Sequence, residues 1–207
     1  MSDKSVYTPW SEEKPNLPWE VTKEIYKDKV HDWAHPGELV PRMLGGRIST
    51  IKNMLDVGGG KGVVAERFFL AHVVQITILD AWWEYPDRPK PDNLVLGNAL
   101  DAIEIFGEDA FDYVQATEII EHMPKADGRR LIEILKKVTR NLLLLSTPYA
   151  YLEQPEHDGN PYQVHVCGWM PQEFEEMGLE VYFNASQMFG GWTKGLDREL
   201  DKQQSQA

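Results

Sequence analysis

Two stretches of this 207-residue sequence gather side chains able to do chemistry. One is Leu55-Asp56-Val57-Gly58-Gly59-Gly60-Lys61-Gly62, an apolar run carrying a single carboxylate that breaks into four glycines. The other is Glu118-Ile119-Ile120-Glu121-His122, with His165 far along the chain as a companion. Glu118, Glu121 and His122 stand three and four positions apart, so on a helix they would share a face. With His165 they make two carboxylates and two imidazoles, a set able to hold magnesium, manganese or zinc. The same side chains, together with His157, are the groups that could move a proton at neutral pH. His122 and His165 are the foremost of them, with Glu121 beside them, although each histidine also reads as an ordinary structural one. Cys167, the single cysteine, has no sequence partner that would make it a nucleophile.

The glycine turn is read through what fails to fit it. A phosphate-cradling loop needs Ser or Thr after Gly60-Lys61, where Gly62 stands, and Leu55 occupies its first glycine position. A dinucleotide fingerprint begun at Gly58 needs its third glycine where Val63 stands. Asp56 followed by Gly58, Gly60 and Gly62 resembles the first motif of class I S-adenosylmethionine-dependent methyltransferases. The resemblance implies a turn that carries the methionine moiety, where an acidic residue suits a ligand with an ammonium and a sulfonium and no phosphate. Asp80 ends the next apolar run about twenty residues on, where a carboxylate accepts ribose hydroxyls; alone it reads equally as a strand terminator. Ala81 and Trp82, or Trp83, would then border the adenine, and Asn98-Ala99 would meet its edge.

The segment from Phe111 to Met123 is similar to the post-strand motif of small-molecule methyltransferases typified by ubiquinone-biosynthesis O-methyltransferases. In metal-free relatives of that kind Glu118 approaches the cofactor and Glu121 sits on a surface turn. The Glu-Glu-His wording also resembles metal-assisted small-RNA 2′-O-methyltransferases. The expectation is methyl transfer to an oxygen or nitrogen of a small-molecule acceptor. The alternatives are a non-catalytic S-adenosylmethionine-binding module and a metal-assisted 2′-O-methyltransferase-like enzyme. No Asn/Asp-Pro-Pro element follows Thr117, which argues against adenine methylation of DNA.

Those residues need a scaffold, and the surrounding pattern supplies one. From Lys52 onward short apolar runs alternate with helix-sized segments: 54–57, 74–79, 93–96, 111–116, 142–145 and 179–183 as strands, with helices at 63–71, 127–138 and 172–177. That alternation predicts an α/β fold, a Rossmann-like doubly wound sheet, mostly parallel, of the seven-stranded methyltransferase type. Val21, Ile25, Val30 and Trp33 predict an amphipathic helix over 21–33, followed by a connection bracketed by Pro36 and Pro41. The whole is read as one domain: an N-terminal arm and lid helix over 1–45, a core over 46–192 and a polar tail over 193–207. The formal net charge of −12 disfavours a nucleic-acid partner. A lone cysteine and the lack of a long apolar run point to a cytoplasmic protein with no membrane partner.

Overall fold

The computed structural model describes residues 18–30, 39–44, 49–60, 75–84, 90, 93–156, 159–184 and 187–194. Gly62, His157, Trp33 and the helix expected over 63–71 lie outside the described residues. Seven strands form one sheet: β1 (Asn53–Val57), β2 (Gln75–Asp80), β3 (Leu94–Leu96), β4 (Phe111–Thr117), β5 (Thr139–Pro148), β6 (Glu180–Asn184) and β7 (Gln187–Thr193). Their order is β3-β2-β1-β4-β5-β7-β6, with β1 to β5 parallel and β7 antiparallel to both of its neighbours. Strand order reverses between β1 and β4. Open α/β sheets bind ligands beyond the carboxyl ends of the strands at such a point.

Burial explains the sequence pattern. Leu142 to Leu145 are fully buried on both faces of a central strand. Helix α4 (Lys125–Val138) covers one face with Leu131, Ile134, Leu135 and Val138, the stripe expected of it, and begins two residues earlier than expected. The opposite face carries a second cluster, in which α2 (Leu39–Leu44) contributes Leu39 and Val40 beside Met54, Tyr113 and Leu144. Pro41 therefore sits within a helix, in its first turn, where its missing N–H is least costly. Helix α5 (Pro171–Glu176) and a five-residue helix, α3 (Ala102–Phe106), also belong to the described set.

The N-terminal helix departs from its expected form. Helix α1 spans only Trp19–Ile25, and Val21 and Ile25 are exposed. Its inward side is Trp19, Thr22 and Tyr26 instead. Trp19 meets the rings of Tyr149 and Phe183 at 5.4 and 5.5 Å, and Thr22 Oγ1 hydrogen-bonds Tyr149 Oη at 2.6 Å. Aromatic area outweighed aliphatic spacing here. No described helix is long and apolar enough to cross a membrane.

Candidate active site

The glycine turn leaves β1 at the strand-order reversal. Gly58 and Gly60 both adopt left-handed backbone angles, at φ 68° and 50°, which a Cβ disfavours. A Cβ on Gly58 would also lie 2.8 Å from Ile119 Cδ1, so the turns after β1 and β4 can pack together only with glycine there. Asp80 ends β2 and braces this turn: its Oδ2 accepts the Gly60 N–H at 2.8 Å and its Oδ1 the Trp82 N–H at 2.9 Å. Burial holds its pKa above the ordinary carboxylate value. Asp80 is thus a turn organiser, and its carboxylate also lines an adjacent cavity.

That cavity has a volume of about 570 Å³, within the range of roughly 300–1,000 Å³ that small-molecule sites occupy. Gly58, Asp80, Ala81, Asn98, Ala99, Glu118 and His122 all line it. Asp56 does not. It is fully buried beneath the turn, where its Oδ1 accepts a hydrogen bond from Gln115 Nε2 at 3.0 Å and its Oδ2 has no partner among the described residues. The expected direct contact of Asp56 with a ligand is replaced by support from below. Gly59 matters for that reason, since a Cβ there would stand 2.8 Å from Asp56 Oδ2. Trp82 and Trp83 are not among the lining residues, whereas Leu96 and Leu100 are. The Asn98 side chain accepts the Leu100 N–H as a cap at 2.9 Å, so its oxygen is already engaged.

The second constellation is not helical in the expected sense. Glu118 takes a left-handed φ of 52°, and a single 3-10 turn follows over Ile120–His122. Glu118 is not among the residues whose ligating atoms gather here, although its carboxylate stays near enough to Glu121 to act on it. Its Oε1 accepts hydrogen bonds from Ser146 Oγ and Gln187 Nε2, both at 2.8 Å. Glu121, His122 and His165 do come together, with ligating atoms all within 4.8 Å of one another. The two imidazoles meet edge to face at 4.7 Å. Glu121 is 1 % exposed, which removes the surface-turn reading, and neither of its oxygens makes a hydrogen bond of ordinary geometry among the described residues, although Thr147 and Glu118 lie near enough to act on it. Burial pushes its pKa well up, and the neighbouring Glu118 carboxylate adds to this.

Both histidines are oriented by carbonyls: His122 Nδ1 contacts Val164 O at 3.2 Å and His165 Nδ1 contacts Leu152 O at 2.6 Å. A carbonyl can only accept, so each Nδ1 carries a hydrogen, and the Nε2 lone pair is what either ring would offer a cation. Burial, aided by His165, lowers the His122 pKa to about 4, so that ring is neutral at ordinary pH. An orphaned buried carboxyl beside two such nitrogens fits a divalent cation.

A clamp that the sequence did not announce holds this turn. Val166 N–H donates to Glu121 O at 2.8 Å, and Trp169 Nε1–H to Ile120 O at 3.2 Å. Trp169 is fully buried and lies under Lys125 and Arg129, both of which pair with the buried Glu173. Cys167 donates its thiol to Met123 O, and burial pushes its pKa up to about 12, so it is no nucleophile.

Among solved structures, the methyltransferase domain of the bacterial protein CtHen1-CN is 19% identical with a TM-score of 0.51, covering 76% of this chain and 96% of that one. The fold is that of the class I methyltransferases. The small RNA methyltransferase HEN1 matches at 13% identity and a TM-score of 0.53 over 90% of this chain, which spans only 27% of that longer protein. The structure of a DhpI–adenosylhomocysteine complex matches at 12% identity and 0.51, over 83% and 87%. No family model and no curated protein matches the sequence. In the methyltransferase fold the reversal between β1 and β4 is where Gly58 and Glu118 meet the cavity.

Proposed function

We propose that this chain is an S-adenosylmethionine-dependent O-methyltransferase whose small-molecule acceptor is held by a divalent cation on Glu121, His122 and His165. The observation that carries it is the buried Glu121 carboxyl, without an ordinary hydrogen bond among the described residues, whose oxygen lies within 4.8 Å of two imidazole nitrogens, with His122 on the wall of the cavity that also reaches Asp80 and the glycine turn. Mixed oxygen and nitrogen donors suit manganese or zinc better than magnesium.

Asp80 and the backbone of the glycine turn would hold the ribose and methionine portions of the cofactor, with Leu96 and Leu100 against its base. When bound, the sulfonium supplies the methyl group, and the cation lowers the pKa of an acceptor hydroxyl. The chain's own contribution is positioning. Glu121 supplies a buried negative charge. His122 and His165 supply imidazole nitrogens whose directions Val164 and Leu152 fix. The Trp169 clamp keeps the 3-10 turn from opening.

The test is a thermal and calorimetric titration. Adenosylhomocysteine at about 100 times its dissociation constant should stabilise the protein by about 2.7 kcal/mol, and NAD should not. Manganese should bind the native chain, and His165→Ala should lose it. Stabilisation by NAD alone would overturn the reading; a tight adenosylhomocysteine complex with no cation affinity would remove the metal from it.

A further inference from the structure

The cavity has a second end that the cofactor assignment leaves unused. Beyond His122 its wall is Met123, Pro124, Asp127, Asn160, Tyr162 and Gln163. We propose that this end is the acceptor subsite and takes a neutral or cationic planar ring bearing adjacent hydroxyls, and not a phosphate-bearing acceptor. The inference rests on the methyl-transfer reading above.

Three observations carry it. Tyr162 lines the cavity and is nevertheless 57% exposed, whereas Trp169, Phe174 and Phe183 are buried. It is also held in place: Pro161 opens its 3-10 turn, and Asn160 Oδ1 accepts the Tyr162 N–H at 3.0 Å. An open aromatic face on a fixed backbone is a stacking platform. Met123 and Pro124 share the wall with it, one polarizable and one flat.

The second observation is charge. Among the described residues the charged lining is Asp80, Glu118 and Asp127, with no lysine or arginine. Lys125 and Arg129, on the adjoining helix, are both paired with Glu173, at 2.6 and 3.0 Å. Apart from the cation itself, an anionic substituent would meet only like charge among the described lining residues, whereas an amine would be welcomed. The third is His122, which belongs both to the cation cluster and to the cavity wall. Three protein ligands leave coordination positions open, and two adjacent hydroxyls can occupy a pair of them.

The experiment uses the full chain loaded with manganese and adenosylhomocysteine, titrated without oxygen with dopamine, catechol and 3,4-dihydroxybenzoate. Dopamine and catechol should bind on the order of tenfold or more tightly than the carboxylate. Tyr162→Ala should weaken catechol by up to about tenfold while adenosylhomocysteine affinity holds. Asp127→Asn should narrow the advantage of dopamine over catechol. Equal or tighter binding of the carboxylate would overturn the proposal. So would tighter binding of a short RNA with a free 3′ end, an unchanged Tyr162→Ala, or no binding of any of the three. Failure of the native chain to bind adenosylhomocysteine at all is a different result: it would refute the methyl-transfer reading and the subsite with it.

Discussion

Asp56→Asn should stabilise the ligand-free protein, and increasingly so as pH rises. The Asp56 carboxyl is fully buried, and burial pushes its pKa from 3.8 to about 7, with Gln115 working against the rise and Asp80 adding to it. In the unfolded chain it returns to its ordinary value, so between these two pH values the folded state binds more protons than the unfolded one. Stability must then fall as pH rises through that window. A difference of about three pH units corresponds to roughly 4 kcal/mol at full ionisation. Asparagine keeps a carbonyl for Gln115 Nε2 and never ionises. Its NH2 replaces a protonated oxygen that had no partner either. Urea unfolding of both proteins near pH 4, 6 and 8 should give near-equal stability at the lowest pH and a gain for the variant of up to roughly 4 kcal/mol at the highest. A gain that does not change with pH, or one that shrinks as pH rises, would refute the reasoning.

Other variants test the rest of the site. Glu121→Gln should lower manganese affinity by about 10- to 100-fold or more in calorimetry while raising melting temperature in the absence of metal, since an unpartnered buried carboxyl is removed. Asp80→Ala should cost about 1.5–3 kcal/mol of adenosylhomocysteine affinity, and hydrogen exchange at Gly60 and Trp82 should quicken as their acceptor is lost. Gly128→Ala adds a Cβ 2.5 Å from Trp169 Cζ2, so despite better helix propensity it should destabilise by about 1–3 kcal/mol in denaturant; a stabilised variant would show that Trp169 can move aside.

The sheet was legible where burial is uniform and obscure where glycine dilutes it. The runs at 54–57 and 142–145 declare buried strands because every residue is apolar or explained by the turn that follows. The strand β7 was missed because Gly190 and Gly191 interrupt it. Those glycines exist for packing: a Cβ on Gly190 would stand 2.5 Å from Phe174 Cδ2, and one on Gly191 would collide with Met43. Glu121, His122 and His165 could be suspected from residue type, but not the backbone that joins them. Helical spacing put Glu118 in the ligand set, whereas its left-handed backbone goes with a carboxylate bonded to Ser146 and Gln187. Asp56 was recognised by its motif and misplaced by it, since sequence spacing cannot distinguish a carboxyl above a turn from one beneath it. The alternation of Val21 and Ile25 was a helix signal without being a burial signal, because Trp19 and Tyr26 offered more area.

The connection from β5 to α5 begins and ends at one place. Tyr149 and Ala150 bridge Trp169, the Ala150 N–H donates to Trp169 O at 3.0 Å, and Gly168 lies so close to Ala150 and Tyr151 that no side chain fits there. A segment fastened at its neck can change in the middle without disturbing the sheet, and doubling its length would cost only about 0.6 kcal/mol of closure entropy. His165 sits just inside that neck, while Tyr162 and Asn160 sit farther round. The connection is therefore where length can change at least cost to the sheet, while Val164 and Val166, next to His165, stay tied to His122 and Glu121.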